Sequence, residues 1–235
     1  MSRRQPGSVP AVSTISIRRA SHCAGVSRSS AANRSADDRS QGSHVRWSAR
    51  SMSGAARIQP SPRALEFAAN GAEVYLAWIQ PLDEIAKLLE RVRTAYHTKG
   101  RRPVFGLRTH LVVRATEREA WEAADELMSQ VDDRVVAQRQ AAFAGTPMVG
   151  QQAQLRAELR ERSPRLWNGI SKVRVNLGTA IVGDPEQVTE ELAAYWRLGL
   201  DEFILSGFPH VEECRRVASE VLPGLRAAIE RERVG

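Results

Sequence analysis

The sequence predicts an α/β fold built on a parallel sheet, and three observations predict it. From about Ser61 onward, apolar segments of strand length alternate with amphipathic segments of helix length. Asp184-Pro185, with Gln187 three residues on from the Asp, is a compact helix start set between two short apolar strands. Leu205-Ser206-Gly207-Phe208-Pro209-His210 then places a polar turn, with a His in it, at the C-terminal end of a buried strand. Strands that alternate with helices pair in parallel through right-handed crossovers.

The elements follow in order. Arg63–Ala69 reads as a short helix and Glu73–Trp78 as a buried strand. Leu82 to about His97 is an amphipathic helix with Ile85, Leu88, Leu89 and Val92 on one face. Phe105–Val113 is a second strand, mostly apolar but interrupted by Arg108 and His110. Thr116-Glu117-Arg118-Glu119 is a capping box that opens a helix in which Trp121, Ala124, Leu127 and Met128 share a face. Asp132–Ser163, rich in Gln, Arg, Glu and Ala, predicts one or two exposed helices around a mobile excursion too long for an ordinary connection. Ala180–Val182 is a third strand, and the helix capped by Asp184 ends at Gly199. Glu202–Ser206 is the fourth strand and Val211 to about Arg231 the last helix. About four βα units make half of a (β/α)8 TIM barrel, the fold that keeps its chemistry at the C-terminal ends of its strands.

Residues 1–58 are of another kind. They carry ten Arg, no Lys, two Asp and fourteen Ser, a local balance of +8, so the other residues sum to about −1 of the total of +7. Such a stretch has too little apolar surface to offset its ordering entropy and is expected to be disordered. It stands outside the fold as a spacer, a targeting peptide, a nucleic-acid-binding arm or a wrongly started reading frame. Nucleic-acid binding is disfavoured, because Trp47 is alone among the arginines. No run of about 18 apolar residues suggests a membrane span. Cys23 and Cys214 offer no disulfide framework or zinc site, and a reducing cytoplasm is the expected location. The domain is therefore placed at 59–235, with a lid-like excursion at about 132–163.

Candidate chemistry is concentrated in few residues. Arg108 and His110 lie two apart on one strand and so face the same side. Burying both is costly unless they bind something. His210 follows a Gly-Phe-Pro turn at a strand end, where it either serves the site or simply starts the next helix. Arg174 sits on a loop before the third strand, and Trp78 at the end of the first strand could wall a planar cofactor or belong to the core. No Rossmann glycine pattern, phosphate-binding loop, metal spacing or nucleophile elbow is present.

Val74–Trp78, Gly106–His110, Leu166–Gly169, Gly178–Pro185 and Phe203–His210, in that order and spacing, resemble the C-terminal half of the reduced-FMN-dependent alkanesulfonate monooxygenases of the bacterial luciferase-like superfamily. The resemblance runs from about Ser61 to Leu225. It implies a TIM barrel that uses reduced FMN and dioxygen to cleave an alkanesulfonate to an aldehyde and sulfite. Arg108, His110, Arg174 and His210 would then be catalytic, and Trp78, Ser206 and Phe208 would hold the cofactor. The arginines suit sulfonate or phosphate oxygens, and the histidines suit proton transfer. The implied partners are a flavin reductase and a second copy of the chain. Phe208 stands where that family has Tyr, and Val175-Asn176-Leu177 where it is Gly-rich. The family's first four strands have no counterpart in residues 1–58. The chain is thus expected to be a truncated or wrongly started member, inactive alone. The alternative is a non-catalytic half-barrel that acts only by associating with a partner chain.

Overall fold

The computed structural model describes residues 62–129, 131–144, 159–172 and 179–234. The expectation for residues 1–58, the centre of the 132–163 excursion and Arg174 lie outside the described residues. The chain runs α1 (Pro62–Gly71), β1 (Val74–Trp78), α2 (Leu82–His97), β2 (Val104–Val113), α3 (Glu117–Ser129), α4 (Asp133–Ala144) and α5 (Leu159–Arg162). It continues with β3 (Leu166–Trp167), a 3-10 turn at Ile170–Lys172, β4 (Ala180–Gly183), α6 (Pro185–Arg197), β5 (Glu202–Ser206) and α7 (His210–Arg216). A π-helical stretch, Val217–Val221, leads into α8 (Leu222–Val234).

The long strand β2 is the hub of the sheet. It pairs in parallel with β1 from Val74↔Val104 to Trp78↔Arg108, with β5 from Gly106↔Glu202 to His110↔Ser206, and with β4 from His110↔Ala180 to Val113↔Gly183. In a parallel ladder a residue's N–H and C=O leave toward the same neighbour. Arg108 O accepts from Ile79 and His110 N donates to Thr179 O, whereas Phe105 O accepts from Asp201. β4 therefore continues the line of β1 along one edge of β2, and β5 holds the other. The α/β class stands as read from the sequence, but the strands do not lie side by side in chain order. β3, antiparallel to β4, is an element the apolar pattern did not reveal.

The two faces of the sheet differ. Phe105, Leu107, Leu111 and Val113 of β2 join Tyr75 and Ala77 of β1 and Phe203 and Leu205 of β5 in one core. Ile85, Leu89 and Val92 of α2, Leu192 of α6 and Leu225 and Ile229 of α8 complete it. Each large apolar side chain buried there contributes about 1.5–3 kcal/mol. The opposite, inner face carries Leu76, Trp78, Arg108, His110, Ile204 and Ser206. At its upper end Val112, Ala180 and Val182 are roofed by Ala120 and Ala124 of α3.

Helix ends follow local rules. Asp184 and Gln187 form a complete capping box at α6, and Thr116 and Glu119 exchange the same two bonds before α3. The last helix expected from Val211 runs unbroken from His210 to Val234, but a π-helical stretch lies within it. Pro223 has no N–H, and its ring would crowd the carbonyl four residues back in a continuous α-helix. The π-helical stretch absorbs that register, and Pro223 falls in the first turn of α8, where its missing donor costs little. At the N-terminal end of β2 lies a cleft of about 550 Å3 lined by Arg93, His97, Arg101 and Phe105. Its arginines serve the fold: Arg93 donates to Leu198 O (2.9 Å) at the end of α6, and Arg101 to Ala69 O (2.8 Å) in the last turn of α1. Among the described residues no helix is long and apolar enough to cross a membrane.

Candidate functional site

The strand register assembles the inner face. Trp78 sits directly opposite Arg108, and His110 directly opposite Ser206. The guanidinium carbon of Arg108 lies 5.4 Å from the Trp78 ring centroid, a cation–π arrangement. Ser206 Oγ and His110 Nδ1 are 2.8 Å apart. His110 is buried, whereas Trp78, Arg108 and Ser206 are half-buried. Both β2 residues thus lie on the face away from the helix core, as a site lining requires.

The turn after β5 adds a second cluster. The Phe208 ring stands between two histidines, 5.4 Å from the His110 centroid and 4.6 Å from the His210 centroid. The Phe208–Pro209 peptide is cis. His210 is exposed and opens α7, so it both starts the helix and joins the cluster. Its Nδ1 lies 2.6 Å from Gly207 O. A carbonyl can only accept, so Nδ1 carries the proton and Nε2 is the ring nitrogen left to exchange one. Trp78, Arg108, His110, Ser206, Phe208 and His210 therefore come together where β1 and β5 end against the middle of β2. Arg174 is the one candidate outside the described residues.

Glu213 and Arg114 support the turn, and the sequence reading did not single them out, whereas it did place Gly207 in the turn. Glu213, on the first turn of α7, is buried, with Oε1 accepting from Val113 N (2.6 Å) and Oε2 from Arg114 Nη1 (2.9 Å). A Cβ on Gly207 would lie 2.2 Å from Glu213 Cγ and 2.8 Å from Leu111 O, so this position admits only glycine. An acidic residue early in a helix is ordinary in sequence, and nothing local marks this one as buried. Among the described residues no group of His, Cys, Asp and Glu could hold a metal ion.

The cluster offers a planar aromatic wall, a cation, a hydroxyl paired with an imidazole, and an exposed imidazole. That donor set fits a planar, anionic cofactor: Trp78 can stack, and Arg108 keeps its charge at any working pH.

A sequence model of the family described as "Luciferase-like monooxygenase" matches residues 60–202. Solved structures of similar fold include the EDTA monooxygenase EmoA from Chelativorans sp. BNC1, at 16% identity and a TM-score of 0.53, covering 72% of this chain and 45% of that one. DmoA from Hyphomicrobium sulfonivorans matches at 16% identity and a TM-score of 0.55, covering 72% and 40%. The long-chain alkane monooxygenase LadA matches at 19% identity and a TM-score of 0.52, also covering 72% and 40%. The chain spans less than half the length of each of these structures, and at such identities the likeness establishes the fold.

Proposed function

This chain belongs to the luciferase-like monooxygenase family, and on that premise we propose that it provides the strand-end chemistry of a flavin-dependent alkanesulfonate monooxygenase. The reaction takes an alkanesulfonate, dioxygen and reduced FMN to an aldehyde, sulfite, oxidised FMN and water. The observation that carries this reading is the convergence of Trp78, Arg108, His110, Ser206, Phe208 and His210 on one face of the sheet, where β1 and β5 end.

When bound, reduced FMN supplies the electrons that activate dioxygen. The chain's own residues have separable tasks. Trp78 walls the planar ring system. Arg108, held over Trp78, receives anionic oxygen of sulfonate or phosphate through its fork of N–H donors. His110, oriented by Ser206, and His210, through Nε2, hold and move the protons that leaving sulfite and reacting oxygen require. Arg174 would add a second cation. A reductase would deliver the reduced flavin.

The test is sulfite released per reduced FMN consumed, over a series of alkanesulfonates. The chain alone is expected to release none. Complemented by the first half of a luciferase-like barrel, it is expected to release sulfite, and Arg108→Gln or His110→Asn is expected to lower that rate by about 100-fold or more. Thermal stability should change little in either variant. Sulfite release unaffected by either substitution would overturn the site assignment. A complemented barrel that binds flavin but releases no sulfite would overturn the substrate. The alternative, a non-catalytic half-barrel acting by association, draws on the edges of β1 and β5 that are unpaired among the described residues. Sulfite release by the complemented barrel would exclude it.

A further inference from the structure

We propose that Glu213 is the positioning residue of this site: its carboxylate takes the place of the rung that β5 no longer supplies to β2, and so fixes the turn that carries Phe208 and His210. The inference rests on the reading of the strand-end cluster as the site.

The geometry is specific. β5 pairs with β2 only as far as His110↔Ser206, after which the chain turns away at Gly207. Odd-numbered residues of β2 direct their backbone groups toward β5, as the bond from Asp201 N to Phe105 O shows. Val113 N–H therefore points at the edge β5 has vacated, inside the protein, where a donor without an acceptor is costly. Glu213 Oε1 fills that place at 2.6 Å. Its second oxygen accepts from Arg114 Nη1 at 2.9 Å, and Arg114 is the residue that directly follows β2.

One carboxylate thus joins the end of β2 to the first turn of α7. The segment between, Gly207 to His210, is pinned on both sides: by the β5 ladder before it and by Glu213 after it. Gly207 lies against the Glu213 side chain and the Leu111 carbonyl, leaving the turn no room to shift inward. Phe208 keeps its place between His110 and His210 only while that turn holds. The effect of Glu213 on the histidines is exerted through the turn.

The test is made on the full chain without flavin, so a failure of flavin binding leaves it standing. The readout is the Cε1–H resonance of each histidine, which the ring current of Phe208 displaces for His110 and His210 but not for exposed His97. In Glu213→Ala both resonances are expected to lose at least half of their displacement toward the His97 position. Glu213→Gln, which keeps an acceptor for Val113 N–H but loses the charge pairing with Arg114, is expected to lose a smaller part. Val92→Ala, a core truncation in α2, outside the β5 turn and α7, is expected to lower the melting temperature and leave both resonances in place. Unmoved resonances in Glu213→Ala would show that Glu213 serves the fold alone and overturn the proposal. Should Glu213→Ala fail to fold, Glu213→Gln decides, and unmoved resonances there overturn it equally.

Discussion

At residue scale, Gly207 shows how tightly the turn is packed. Its place is set by space, with Glu213 Cγ and Leu111 O both inside contact distance of any added methyl. Gly207→Ala is expected to cost about 1–3 kcal/mol, the range of an overpacked core, measured by urea unfolding. A loss below about 0.5 kcal/mol would mean that α7 shifts freely, contrary to the two hydrogen bonds that Glu213 accepts. The residues that could be read from sequence were those whose type is wrong for their surroundings: Arg108 and His110 on an apolar strand, and His210 beside Gly and Pro at a strand end. Glu213 could not be read. Its burial depends on where β5 stops relative to β2, a relation between residues 100 positions apart. Ser206 was named as a cofactor contact, and its bond to His110 follows from register, which no local pattern specifies.

At element scale the best-marked feature was the start of α6. Asp184 accepts from Gln187 N at 2.9 Å, and Gln187 Oε1 accepts from Asp184 N at 3.2 Å. Asp184→Ala is expected to lower stability by about 1 kcal/mol, read from the urea midpoint at unchanged slope. Such caps are legible because they involve residues three apart. The order of strands was not, since β4 is short enough to sit in line with β1 on one edge of β2 and only hydrogen-bond parity reveals it. β3 escaped because two residues have no period. The π-helical stretch before α8 was legible in principle from Pro223, whose ring excludes an uninterrupted α-helix there. The strands of the wall and the helices behind them were legible because their apolar faces repeat with clear periods.

At the scale of the whole molecule, all three tyrosines of the chain are buried in its core. Burial pushes Tyr75 up to about 12 and raises Tyr96 and Tyr195 above the usual phenol value of 10.0. The sign follows directly. Above pH 10 the unfolded chain loses tyrosine protons that the folded chain keeps, so stability falls as pH rises through that range. Tyrosinate absorbance is expected to stay absent in the folded protein past pH 10 and then to appear for all three together, coincident with loss of helix signal. A separate, earlier tyrosine titration at constant helix content would contradict the packing around α2 and α6. Charge is unevenly spread along the chain: residues 1–58 carry +8 and the other residues sum to about −1.

The central place of β2 has a consequence for synthesis. Its partner β1 precedes it closely, but the strand on its other edge meets it across 96 residues, at His110 and Ser206. During translation β2 therefore waits with one edge open while the whole excursion, β4 and α6 are made. An open parallel edge is the surface at which nascent chains join the wrong neighbour. The first βαβ unit, with its short loop, can close early at small entropic cost, whereas the half of the site that comes from β5 and its turn is among the last parts of the chain to arrive. The histidine on β2 is thus in place on the ribosome well before the serine that orients it.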